Sequence, residues 1–119
     1  MNKRDIYAMI DVYAERDRQR SLGHLDSHDY SDGTGMHLDK ALPLPSAASV
    51  RARAEAAFSV PWALVLLEEV LEALEEDNED RLRTELVQVA AVAVRWIGAI
   101  DARLMETEWD ERTKRSWRP

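Results

Sequence analysis

Two helix-length apolar segments joined by a short polar link constrain this chain more than any other feature. The first runs from about Trp62 to Asp77, the second from about Asp80 to about Glu106, and both repeat apolar residues at spacings of three and four. Leu67, Val70, Leu71 and Leu74 line one side of the first segment. Leu82, Leu86, Val89, Ala93, Ile97 and Ile100 form a stripe along the second. A link as short as "DNED" makes such helices antiparallel neighbours. Val87, Val94 and Trp96 widen the apolar surface of the second helix beyond what one neighbour covers, so further helices or another copy of the chain are expected against it.

The remaining sequence also reads as helical. Ile6, Ile10 and Tyr13, with Met9 beside them, predict an amphipathic helix from about Arg4 to Arg20. The stretch from about 21 to 45 has no period, contains three of the four Gly and all three His, and is expected to be a long loop. "SAASVRARAEAAF" predicts a short helix capped by Ser46 or Ser49, and Pro61 fits the opening turn of the next one. Residues 107 to 119 are expected to fray. With no repeat and no strand-like alternation, the class is all-α, a single domain over residues 1–119.

Several functional classes are disfavoured at this stage. Sixteen basic against 23 acidic residues give a formal charge of −7, which leaves no basic face for a nucleic-acid backbone. Without cysteine there is neither a disulfide framework nor a thiolate metal site, in keeping with a reducing cytoplasm. The longest apolar run, "VPWALVLL", is too short to span a bilayer, and the N-terminus is too charged for a signal peptide. A soluble cytoplasmic protein with no membrane partner is expected.

Against that background, the acidic residues inside the apolar segments stand out. At about 100° per residue, Glu68, Glu69 and Glu72 share an arc of about 100° on the first helix. Glu85 and Gln88 share a face of the second with Arg81 and Arg95. In an antiparallel pair the late part of one helix lies beside the early part of the other, so three carboxylates and an amide can converge. Crowded anions in a partly dry site repel, and a hard divalent cation relieves them. The alternative stands beside this: glutamates at such spacings also make ordinary solvated, solubilising faces. Arg81 and Arg95 fit either phosphate contacts or surface ion pairs to Glu72 or Glu76.

Other features are less specific. His24, His28 and His37 with Asp26, Asp29 and Asp32 offer a zinc site or a polar lid, and "DGTG" a phosphate-binding turn or a simple one. Trp62 and Trp96 suit a base-stacking role or, more commonly, a core or interface role.

"EEVLE" (68–72) and "ELVQ" (85–88), separated by residues 73 to 84, resemble the E-E-x-x-E … E-x-x-D signature of the MazG-like all-α nucleoside triphosphate pyrophosphohydrolases. The flanking "LLEEVLEAL" and "RLRTELVQVAAVAVRWIGAID", with "ERDRQ" and "DGTG" upstream, are similar to the small MazG-like proteins of actinobacteria and their phages, over about Glu15 to Asp101. The resemblance implies a helical bundle completed by oligomerisation, as a homodimer or tetramer. It implies Mg²⁺ (with Mn²⁺ as a substitute) and cleavage of a nucleoside triphosphate to a monophosphate and pyrophosphate. Carried over by position, Glu69, Glu72, Glu85 and Gln88 fall at metal-ligand positions. Glu68 falls at the other glutamate of the first block, which would orient a ligand or accept a proton from the attacking water. Apart from the resemblance, the place of Arg81 and Arg95 on the face of Glu85 and Gln88 makes them candidates to bind substrate. Two departures matter. Gln88 stands where the family has aspartate, which keeps an acceptor oxygen but removes a charge, and so also allows a nucleotide-binding or regulatory relative without turnover. Leu22 stands where an aromatic residue is expected. A plain helical interaction protein is the remaining alternative.

Overall fold

A computed structural model describes residues 2–23 and 38–116, with side chains described through Met105 except at positions 39 and 40. The described residues form five α-helices: α1 (Lys3–Ser21), α2 (Leu38–Ala41), α3 (Ala47–Ala56), α4 (Trp62–Glu75) and α5 (Glu79–Ser116). The all-α expectation holds for them. None of these helices is long and apolar enough to cross a membrane. The chain divides into two compact units, one of Met1–His24 with Val94–Pro119, the other of Leu25–Ala93.

In the first unit, α1 starts at Asn2, whose side chain accepts a hydrogen bond from the Asp5 N–H at 2.9 Å. The helix ends on Gly23, whose φ of 73° lets the chain leave in the left-handed conformation while its N–H donates to the Arg20 carbonyl at 3.0 Å. The stripe read as its apolar face is not what it buries. Ala8 is fully buried, whereas Ile6, Ile10 and Tyr13 remain exposed. On α5, Gly98 comes close to the first turn of α1: a Cβ there would lie 3.5 Å from Arg4 Cβ and 3.6 Å from Asp5 Oδ1.

The helix α5 continues to Ser116, beyond the end expected near Glu106. Apolar periodicity stops there, but Glu108 and Arg112, Asp110 and Lys114, and Glu111 and Arg115 are spaced i, i+4, acid before base, the order that supports a helix without a core. Proline does not recur until Pro119.

The second unit carries the larger core. Ala47, Val50 and Leu71 are buried together, with Leu44 and Leu64 packed against them. Leu71 is 1% exposed, and burying a leucine side chain contributes about 2–3 kcal/mol. The turn Leu38–Ala41 falls inside the stretch read as loop. Ser46, not Ser49, caps α3: its hydroxyl accepts from the Ser49 N–H at 3.1 Å. The Ala47 N–H donates to Glu75 Oε1 and Oε2 at 3.2 and 3.3 Å, so the end of α4 places a carboxylate at the positive end of α3. That bond fixes α3 and α4 as antiparallel partners. After Glu75 the chain turns through residues 76 to 78, and Asn78 caps α5 by accepting from the Arg81 N–H at 3.0 Å. Leu67, Leu86 and Val87 stay exposed.

Candidate functional site

The antiparallel register of α3 against α4, and the short turn into α5, decide which acidic groups meet. Glu68 and Glu72 are one turn apart on α4, Glu69 lies beside them, and Glu85 lies in the second turn of α5. Glu69, Glu72 and Glu85 each place one carboxylate oxygen so that all three atoms lie within 4.8 Å of one another, and all three residues are partly buried. At that distance two like charges repel by about 1 kcal/mol in water and by about 3–4 kcal/mol at an effective dielectric constant near 20.

The acid strengths follow from this crowding. Burial pushes the Glu69 carboxyl above the ordinary range, and the charges of Glu72, Glu85 and Glu68 push it further. The Glu85 carboxyl is raised for the same reasons, burial first, then Glu72 and Glu76, with Arg51 opposing.

Gln88 sits against the same two residues. With its amide nitrogen turned toward them it donates to Glu85 Oε2 at 2.9 Å and to Glu69 Oε2 at 3.2 Å. The opposite orientation would set its carbonyl oxygen against acceptors only. To offer that oxygen to a cation, the amide must turn over.

Arg51 on α3 is the residue that sequence reasoning missed. Its Nε donates to Glu68 Oε1 at 2.7 Å and its Nη2 to Glu72 Oε1. The guanidinium is held more basic than usual by these two carboxylates. Nothing in "SVRARAEAAF" distinguishes Arg51 from Arg53. The available signal is positional: Arg51 is one turn beyond Ala47 and next to Val50, the two buried residues of α3.

Arg81 is exposed, with its Nε 3.4 Å from Glu76 Oε1, the surface pairing that stood as one of its two readings. Arg95 is exposed and belongs to the first unit, as does half-buried Trp96, whereas half-buried Trp62 opens α4 in the second. The histidines, Asp26, Asp29, Asp32 and the "DGTG" turn lie outside the described residues.

Compared with family models, with curated proteins and with solved structures, the chain matches none.

Proposed function

We propose that this protein is a Mg²⁺-dependent nucleoside triphosphate pyrophosphohydrolase of the MazG-like type. It would cleave between the α and β phosphates to release a monophosphate and pyrophosphate, in keeping with a role in nucleotide-pool housecleaning. One observation carries the reading: oxygens of Glu69, Glu72 and Glu85, from two helices, gather within 4.8 Å, and these are the metal positions of the E-E-x-x-E … E-x-x-D pattern. The donor set is all oxygen, which suits Mg²⁺ or Mn²⁺ and not a thiolate-seeking metal. When bound, the cation would polarise the phosphoryl oxygens and lower the pKa of a water.

The chain's own residues supply the rest. Glu69, Glu72 and Glu85 would hold the cation, and Gln88 bridges Glu69 and Glu85 without adding charge. Glu68, next to this trio and paired with Arg51, would orient the attacking water or take its proton. Arg81, in the same unit, is assigned to the phosphate tail. A second copy of the chain would cover apolar surface at Ile6, Ile10 and Tyr13 in one unit and at Leu86 and Val87 in the other.

A second reading is favoured by Gln88. A neutral amide that donates to two ligand carboxylates weakens cation binding relative to an aspartate, and a nucleotide-binding protein without turnover would follow. The test is pyrophosphate release from a panel of standard and modified triphosphates, with and without Mg²⁺. Mg²⁺-dependent release from at least one of them supports the enzyme. Binding without release supports the second reading. Neither binding nor release leaves a helical interaction protein whose glutamates are only solvated.

A further inference from the structure

Two kinds of partner converge on Glu72. Its Oε1 receives the Arg51 guanidinium, and the same carboxylate has an oxygen within 4.8 Å of oxygens of Glu69 and Glu85. Arg51 comes from α3, a helix that gives no carboxylate to the trio. Its side chain is 53% exposed, against 19% and 20% for the Glu68 and Glu72 side chains it grips. Other contacts also dock α3: Ala47 and Val50 are buried with Leu71, and Glu75 accepts from the Ala47 N–H. The guanidinium adds to these a link to two carboxylates at the acidic site.

A guanidinium and a divalent ion are alternative ways to neutralise one carboxylate. The arginine brings a single charge spread over a plane of N–H donors. A Mg²⁺ ion brings two charges at a point and takes oxygens at about 2.0–2.1 Å, which draws its ligands together. Because Arg51 already holds Glu72 Oε1, a cation among these oxygens competes with it for that carboxylate.

We propose that Arg51 is the internal counter-ion of the acidic site: it holds Glu72 in the metal-free protein, is displaced when a divalent cation binds among Glu69, Glu72 and Glu85, and then receives the phosphate group that follows. This rests on the reading of those three glutamates as metal ligands. Two of the five guanidinium N–H donors are used on Glu68 and Glu72, and the planar fork matches phosphate oxygens once Glu72 is released. The displacement couples the two binding events, because the cation is held back by the group that later helps to hold the anion.

The experiment is a calorimetric titration of Mg²⁺ into the full chain, wild type and Arg51→Met, followed by inorganic tripolyphosphate at saturating Mg²⁺, with helix content checked by circular dichroism. Arg51→Met is expected to bind Mg²⁺ about three- to tenfold more tightly and Mg-tripolyphosphate more weakly than wild type, with Arg51→Lys between the two. Opposite signs are what a purely structural ion pair would not produce. Wild type that binds Mg²⁺ while Arg51→Met binds it equally or less well overturns the counter-ion role alone. No Mg²⁺ binding by either protein overturns the metal site itself, and the counter-ion role with it. Should Arg51→Met fail to fold, the ¹⁵N-labelled Arg51 Nε–H signal of wild type decides: it is expected to shift and exchange faster at saturating Mg²⁺, and an unchanged signal overturns the displacement.

Discussion

Glu15 on α1 and the glutamates of α4 and α5 are the same residue type on similar helices, and their surroundings drive them in opposite directions. Glu15 accepts from Arg18 Nε and Nη2 at 2.7 Å each and from Gln19 at 3.2 Å, all within its own helix. Those bonds, Arg18 first, hold its carboxyl down to about 2 although it is exposed. Glu69 and Glu85 face other carboxylates from a second helix, and burial and mutual repulsion raise them. A local pair at i, i+3 stabilises a helix and needs nothing more. A gathering that raises its own members costs stability in the metal-free fold, and such a cost is what a ligand can relieve.

The largest expected effect comes from removing a carboxylate from the gathering. Glu72→Gln or Glu69→Gln should lower Mg²⁺-dependent pyrophosphate release on the order of a hundredfold or more, in steady-state assays against the most active triphosphate. Unchanged release would place Glu69 and Glu72 with Glu15, as solvated acids. Next, Gln88→Asp restores a charge and should tighten Mn²⁺ roughly three- to tenfold in a titration, while lowering the melting temperature of the metal-free protein. Unchanged affinity would mean that this side chain does not face the cation.

A smaller effect separates the two regions by pH. Because Glu69 and Glu85 are raised above 4.5, the folded chain keeps protons there that the unfolded chain has released, so their contribution to stability falls as pH rises between 4.5 and the raised values. Melting of the metal-free protein should therefore shift upward as pH is lowered through that window, and saturating Mg²⁺ should flatten the slope. Glu15 has the opposite sign: its contribution is present above 4.5 and is lost as pH falls toward about 2. The smallest effect is Glu15→Gln, expected to leave cation affinity and pyrophosphate release unchanged in the same assays.

Much of the site was legible in the sequence, because helical spacing alone puts Glu68, Glu69 and Glu72 on one arc and a short link returns Glu85 and Gln88 beside them. Helix positions were legible for the same reason. The buried face of α1 was not: periodicity points to Ile6, Ile10 and Tyr13, whereas the residue the helix buries is Ala8, and a lone alanine carries little hydrophobic signal. The extent of α5 was missed because the apolar spacing that marks the helix stops near Glu106, while the sequence beyond it carries only charge spacing. Arg51 was missed because its role depends on the register of α3 against α4, set by Leu71, Val50 and the Glu75 cap on Ala47. That register is a tertiary fact that "SVRARAEAAF" does not carry.

The most direct measurement is Mn²⁺ binding followed by electron paramagnetic resonance at neutral pH, for wild type and for the variant carrying Glu69→Gln, Glu72→Gln and Glu85→Gln. Wild type should show saturable loss of the free-ion signal, and the triple variant, with folding checked by circular dichroism, should show none. Equal titrations for the two proteins, whether both bind or neither does, would contradict the account.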